Sequence, residues 1–305
     1  MTWARLAFRL QRSSVGSAAL VSLGLVALGA WLALSLPSML ARCDVPNPVD
    51  QCGTVYLFGS PMGDPALLFN LGIGVAMYAV PIVLGVPLVT SEVERRTAMI
   101  AWPLAGSRLK WLAWRGGSVL VIGLVLTGVM ALAAEALVRA NVGSDIGFAS
   151  HGARGISLLT RAALMLVVAV ALGAVIGRLL PSLLVGIALA AGISIVVQAL
   201  PPYGVEPSEL TAAEAIRYPM TTGHAYRAPD GTLISEDEAN AISIAAYAEY
   251  SPEFPPDSIL PTDVSYGIAG SRYHEVLARE SAVLIGATVV AGGVAAFVVS
   301  RRRPE

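Results

Sequence analysis

The chain has 305 residues, of which 55% are hydrophobic and only 13% are charged. A soluble globular protein carries close to a quarter of charged residues, and a membrane-crossing helix needs about 20 predominantly apolar residues. The composition therefore excludes an ordinary soluble protein and predicts an integral membrane protein. The formal net charge of −1 conceals an uneven distribution of basic residues along the chain.

Residues 1–14 have the pattern of an interfacial helix. Apolar residues recur at helical spacing, and Arg5, Arg9 and Arg12 fall on the opposite face. We expect this helix to lie in the headgroup layer with its arginines towards anionic lipids. The alternative is a basic segment that only orients the first span. The apolar run that follows is longer than the core of a signal peptide, so we expect a retained span.

Six apolar runs are long enough to cross a bilayer, at residues 15–36, 66–89, 116–138, 157–177, 180–200 and 281–300. The predicted fold class is an all-α integral membrane protein with six transmembrane helices. An N-terminal interfacial helix, a cytoplasmic coupling helix and an extracytoplasmic helical cap between spans 5 and 6 complete this fold.

The predicted domain boundaries follow the spans. Residues 1–200 contain the interfacial helix and spans 1–5, with a coupling segment at 90–115. Residues 201–280 form the extracytoplasmic cap, and residues 281–305 contain span 6 and a cytoplasmic tail.

Basic residues indicate the orientation of the spans. The side that carries both termini and residues 90–115 has 12 basic and three acidic residues, whereas the short loops on the other side have four basic residues. Basic residues in short loops remain in the cytoplasm. We therefore predict a multi-pass protein of the cell membrane with both termini in the cytoplasm.

The first outer loop carries the two cysteines of the chain, Cys43 and Cys52. Outside the cytoplasm, two thiols so close in the sequence readily oxidise. We expect a disulfide between them, with two independent thiols as the alternative.

The loop between spans 2 and 3 is short and strongly basic. Span 2 is expected to bend or end near Pro87, and Ser91 with Glu94 has the spacing of a capping box that starts a new helix. Glu92 and Arg96 are spaced for an i, i+4 ion pair. The pattern predicts a rigid elbow made of a helix, a sharp bend and a second helix.

Residues 201–280 form the only sizeable polar region. Two capping boxes predict short helices near 211–218 and 235–250. The proline-rich stretch 252–261 is expected to be extended, and a last helix from about Ser271 should continue into span 6. A region of this size can cover the membrane surface but is small for an independent enzyme domain.

The sequence lacks the residue patterns of catalysis. The single lysine, Lys110, stands in GSRLKW, which is not a P-loop, so the chain alone is not expected to hydrolyse ATP. His274-Glu275 begins like the zinc motif HExxH, but Ala278 replaces the second histidine. No predicted span contains a histidine that would activate a serine. We expect no catalytic residues, no metal, no cofactor and no nucleic-acid partner.

Two ionisable residues lie inside or at the edge of the predicted spans. Glu135 is the one carboxylate within an apolar run, and such residues are functional by default. Because it lies near the outer end of span 3, it is either an interfacial residue that faces water or a part of the transport path. Arg161, near the outer end of span 4, is expected to extend towards the headgroups.

The segment SEVERRTAMIAWPLAGSRLKWLAWR resembles the cytoplasmic elbow of type-2 ABC exporter permeases, particularly actinobacterial ones. Those proteins carry a Glu-x-Glu-Arg-Gly-Thr core, an apolar patch, and then Ser-Arg and a tryptophan before span 3. The matching residues are Glu92, Glu94, Arg95, Thr97, Ala101, Trp102, Ser107, Arg108 and Trp111. Arg96 stands where the family usually has glycine, which adds a positive charge.

The resemblance implies the membrane-spanning permease subunit of an ATP-driven exporter. A second permease subunit, identical or different, would complete the translocation path, and two copies of a separate ABC ATPase subunit would bind ATP and Mg. The residues implied to dock the ATPase are Glu92, Glu94, Arg95, Arg96, Thr97, Trp102, Ser107 and Arg108. The alternative is a non-transporting membrane scaffold or sensor subunit whose outer cap binds a ligand.

Overall fold

The structure is a computed structural model, and it describes residues 11–40, 65–94, 107–142, 146–200, 203–250, 254 and 256–301. The chain divides into two compact units. The first draws on Met1–Gly143, Ser150–Leu200 and Leu277–Glu305, and the second on Ser144–Ala149 and Pro201–Val276.

The helices of the described residues are α1 (Arg12–Leu40), α2 (Pro65–Glu94), α3 (Arg108–Val142), α4 (Gly155–Ile176), α5 (Leu179–Ala199), α6 (Ala212–Ala215), α7 (Glu236–Tyr250) and α8 (Tyr273–Arg301). Helices α1–α5 and α8 are long and apolar enough to cross a membrane. They coincide with the six predicted spans, so the number and order of the candidate spans are confirmed for the part of the chain that the structure describes.

The first helix begins earlier than span 1 was expected to. Arg12, assigned to the interfacial helix, is already the first residue of α1. No glycine or proline lies between Arg12 and Val15, so the helix continues across this boundary. Residues 1–10, the rest of the predicted interfacial helix, lie outside the described residues.

Helix α2 lies at the centre of the membrane unit. It packs against α1, α3, α4 and α5 and makes its most extensive contact with α4. Its side chains Phe69, Ile73, Leu84 and Leu88 are fully buried in the core. Since lipid tails are as apolar as these side chains, close packing rather than removal from water holds such helices together.

Glycines allow α2 and α4 to approach each other closely. A Cβ atom at Gly85 would lie 2.8 Å from the Leu166 carbonyl oxygen, and one at Gly173 would lie 2.8 Å from the Val86 carbonyl oxygen. Glycines at such crossings let two backbones come into contact. Gly177, with φ of 70°, then ends α4 in the left-handed conformation that glycine adopts without strain.

The expectation of a new helix from Ser91 is wrong. Helix α2 continues without interruption through Pro87 to Glu94. The Ser91 hydroxyl donates a hydrogen bond to the Pro87 carbonyl oxygen, so Ser91 lies within the last turns of a helix and does not cap one. Neighbouring helices and local side chains satisfy the groups that a proline frees in a membrane helix, and the tight packing of α2 on α4 maintains the helix here.

The second unit contains a four-stranded antiparallel sheet, which corrects the all-α prediction. Its strands are β1 (Ser208–Glu209), β2 (Met220–Arg227), β3 (Leu233–Ile234) and β4 (Thr262–Ile268), in the order β1-β4-β2-β3. The central pair β2 and β4 is rich in threonine, tyrosine and other residues that favour strands. The capping boxes predict helices in this region and carry no information about its strands.

Two further expectations for the second unit meet different outcomes. The stretch 252–261 is not simply extended, because a 3-10 turn forms at Asp257–Ile259, with the Ile259 amide bonded to the Pro256 carbonyl oxygen. The continuous helix expected from near Ser271 is present. After a 3-10 turn at Gly270–Arg272, α8 runs from Tyr273 to Arg301.

Candidate functional site

The predicted docking residues lie on both sides of a segment that the structure leaves undescribed. Glu92 and Glu94 lie in the last turn of α2, and Ser107 and Arg108 lie at the start of α3. Outside the described residues are Arg95, Arg96, Thr97 and Trp102, as well as Cys43 and Cys52 of the predicted disulfide.

Glu92 points into the helix bundle. Its Oε1 accepts a hydrogen bond from Nη1 of Arg115 on α3, and the two side chains are only 6% and 8% exposed. The guanidinium carbon of Arg115 also lies 5.5 Å from the centre of the Trp111 ring. Arg96, the partner expected from sequence spacing, lies outside the described residues. A buried charge needs such a partner to offset its loss of water, so this pair joins the end of α2 to α3.

Glu94 caps a different helix. Its Oε1 accepts a hydrogen bond of 2.6 Å from the backbone amide of Leu179, the first residue of α5. Arg178 precedes α5 and makes no side-chain cap of its own. The first amides of a helix have no partner within the helix, and a negative charge there interacts favourably with the helix dipole. Glu94 therefore joins the end of α2 to the start of α5.

Ser107 caps the start of α3, and Arg108, its first residue, contacts α8. The Ser107 hydroxyl accepts a hydrogen bond from the Lys110 amide and so caps α3. Nη1 of Arg108 donates a 3.0 Å hydrogen bond to the Ser300 carbonyl oxygen, one of the last carbonyls of α8. The residues on either side of 95–106 thus contact α3, α5 and α8.

Glu135 joins α3 to the start of α4. One carboxylate oxygen lies 3.2 Å from Nη2 of Arg139, one turn further along α3. The other oxygen accepts a 2.9 Å hydrogen bond from Nη1 of Arg154, which immediately precedes α4 and is buried. Both roles considered for Glu135, at the interface with water or in the transport path, stay predictions.

A second buried polar cluster, which sequence analysis missed, surrounds Glu280 of α8. The Glu280 side chain is fully buried, and its carboxylate contacts Arg161 and Ser157 of α4 and His151 of the preceding loop. Arg161 does not extend to the headgroups, because it is buried beside this carboxylate. The signal that could have found the cluster is the presence of opposite charges near the same ends of spans 4 and 6.

Comparison with protein families identifies the chain. A family model described as ABC-2 membrane transporter related matches residues 15–200, which is more than half of the chain and includes α1–α5. The chain belongs to this family. Comparisons with curated proteins and with solved structures found no match.

Membership of the ABC-2 family has direct consequences. The chain is a multi-pass membrane protein and a permease subunit of an ABC transporter, in a family that associates with an ABC ATPase and is generally not catalytic itself. The resemblance found in residues 90–115 is thereby confirmed at the level of the family. The closer likeness to actinobacterial exporters stays a prediction.

Proposed function

We propose that this ABC-2 family chain is the permease of an ATP-driven exporter and docks its ATPase through residues 90–115. The observation that carries the proposal is the set of contacts on either side of residues 95–106. Glu92 bonds to Arg115 on α3, Glu94 bonds to the first amide of α5, and Arg108 bonds to the end of α8.

These contacts provide a physical route for coupling. A force applied to residues 95–106 by a partner subunit reaches three membrane helices through short polar bonds instead of flexible chain. Chains of packed side chains and hydrogen-bonded groups carry energetic coupling between distant sites. Because the Glu92 side chain is buried, its role in this proposal is to hold the docking segment in place. Direct contact with the ATPase is assigned to the other docking residues.

The proposal includes a second permease subunit, identical or different, and two ATPase subunits that bind ATP and Mg. Helices α1, α5 and α8 are the least buried of the six spans, and large apolar side chains such as Leu34, Leu184 and Val289 are exposed along them. These faces suit either lipid or a second permease. The direction of transport rests on the resemblance to exporters, and the cytoplasmic placement of both termini rests on the distribution of basic residues.

Co-purification tests the proposed docking surface. The tagged permease is expressed with a candidate ABC ATPase, chosen as a neighbouring open reading frame that encodes the P-loop GxxxxGK(S/T), and extracted in mild detergent. We expect Glu94→Lys and Arg95→Glu to abolish recovery of the ATPase and to leave membrane insertion unchanged. Arg139→Glu is the matched control, because it changes an exposed arginine at the opposite end of α3. Unchanged recovery with both docking variants, or labelling of residues 95–106 from the cell exterior, would contradict the proposal.

A further inference from the structure

We propose that Glu280 is a positioning residue for transport. Its contact with Arg161 holds the N-terminal part of α8 against α4, and the two helices separate at this contact during each transport cycle. This inference rests on the transport function proposed above.

Both carboxylate oxygens of Glu280 have polar neighbours within hydrogen-bonding distance. Oε1 accepts hydrogen bonds from Nε of Arg161 at 2.8 Å and from the Ser157 hydroxyl at 2.9 Å, and Nη2 of Arg161 lies 2.7 Å from it. Oε2 lies 2.9 Å from the same hydroxyl and 3.2 Å from Nε2 of His151. Hydrogen bonds between ionised groups are about twice as strong as those between neutral groups. Three separate segments of the chain therefore meet at one carboxylate.

The loop before α4 covers the ion pair. Gly152 has φ of 85°, and a Cβ atom at this position would overlap the guanidinium group of Arg161. The backbone at Gly152 therefore lies directly on the guanidinium group, and only glycine fits both the space and the left-handed conformation. This cover, together with the burial of Ser157 and Arg161, shields the pair from water and lipid.

The remaining contacts between α4 and α8 are sparse and apolar. Leu284 belongs to a small buried cluster with Leu164 of α4 and Val197 of α5, and a Cβ atom at Gly292 would lie 3.7 Å from Val167. Val283 and Val289 on the same helix are exposed, and α8 is the least buried of the six spans. Since apolar contacts gain little over contacts with lipid inside a membrane, the Glu280 cluster supplies a large part of the attachment of this end of α8.

The contact between Glu280 and Arg161 has two states, formed and broken. The hydrogen bonds to Glu280 form only at donor–acceptor distances of about 3 Å, as at Arg161 and Ser157, so they are either made or broken. The contact of α2 with α4 through Gly85 and Gly173 is instead continuous backbone packing. A transporter must part some of its helices to admit cargo. Among the described helices, the boundary between α4 and α8 combines a single strong polar contact with few apolar ones. Ionisable residues at membrane depth are expected to have a functional role.

Distance measurements on the full-length chain test this inference. Spin labels are placed at Ile156 of α4 and Val283 of α8, both of which are exposed, after Cys43 and Cys52 are changed to serine. The protein is studied in lipid nanodiscs, alone and in complex with its ATPase. In the native pair we expect one short distance without nucleotide and a shift of several ångströms to a longer distance when ATP is bound.

Variants of the ion pair supply the decisive comparison. Glu280→Gln is expected to produce the longer distance without ATP, and the exchange Glu280→Arg with Arg161→Glu is expected to restore the short one. Arg139→Gln, which removes an exposed ion pair on α3, is expected to change nothing. A protein that merely needs the pair to fold would not show the ATP-dependent shift in the native chain.

The possible failures are distinguishable. A short distance that persists in Glu280→Gln, or a native complex whose distance does not change with ATP, overturns the inference. If Glu280→Gln does not insert into the membrane, the double variant Glu280→Arg with Arg161→Glu is measured instead. If this double variant inserts but lacks the short distance without ATP, the inference is also overturned. The proposed function is tested by a different result, since it fails if the native chain recovers no ATPase. The distance in Glu280→Gln can be compared with the distance in the native chain without any partner subunit.

Discussion

Neutralising Glu92 is expected to destabilise the membrane helices much more than neutralising an exposed charge. In Glu92→Gln, the guanidinium group of Arg115 stays buried but loses its carboxylate partner. Removing one member of a buried ion pair costs about 3–5 kcal/mol. At the lower end, a cost of about 3 kcal/mol corresponds to roughly a hundredfold change in the unfolding equilibrium.

The magnitude separates two interpretations of Glu92. An exposed i, i+4 pair with Arg96, as sequence spacing predicts, would contribute only about 0.3–0.5 kcal/mol. The control is Arg139→Gln, since the Arg139 side chain is 67% exposed and pairs with Glu135 in the same i, i+4 arrangement. We expect this control to change the free energy of unfolding by less than about 0.5 kcal/mol.

The assay is reversible unfolding of the full-length chain in mixed micelles, followed by helix content as the denaturing detergent is increased. The double variant Glu92→Gln with Arg115→Met is expected to recover most of the lost free energy, because replacing both members of a buried pair is often nearly neutral. A loss in Glu92→Gln no larger than in Arg139→Gln would refute the reasoning. So would a double variant as unstable as the single one.

Two other outcomes are expected. Gly173→Ala should destabilise the chain by about 1–3 kcal/mol, because the new Cβ atom would lie 2.8 Å from the Val86 carbonyl oxygen. Gly117→Ala, with no atom within 4 Å of the new Cβ, should be neutral or stabilising in the same unfolding assay, and equal effects would contradict the close helix contact. Hydrogen bonds from the backbone and side chain of Thr211 lower the pKa of Glu214 from its usual 4.5. The stability that they provide is therefore complete above the unfolded-state pKa and is lost as the pH falls through the folded-state pKa. The Thr211 amide donates a hydrogen bond to Glu214, so its protection from hydrogen exchange should decline as Glu214 becomes protonated at acidic pH. Protection that stays constant over that acidic range would contradict the prediction.

The parts of the fold that sequence predicts are those that depend on local composition. Each span is an apolar run of sufficient length, and this requirement holds whatever the neighbouring helices are. The family also follows from one contiguous segment, residues 90–115. The start of α3 is local in the same sense, because the Ser107 hydroxyl caps the helix that follows it.

The parts that sequence analysis missed depend on contacts between distant residues. Glu92 contacts Arg115 because α2 continues past Pro87. The local rule that proline bends or ends a helix did not predict this continuation. Glu280 lies in the helix that the sequence predicts from about Ser271, but no local pattern pairs it with Arg161, which stands 119 residues earlier in the chain. Strands β2 and β4 likewise form a ladder between segments that are far apart in the chain.

The cluster around Glu280 also has a consequence for biosynthesis. Arg161 is synthesised 119 residues before Glu280, so the guanidinium group reaches the membrane before its carboxylate partner has been synthesised. An arginine without a carboxylate partner is costly at membrane depth. We therefore expect Arg161 to stay close to headgroups or water until the last span supplies the matching charge. In this order of events, the final helix completes the burial of an arginine that belongs to a much earlier part of the chain.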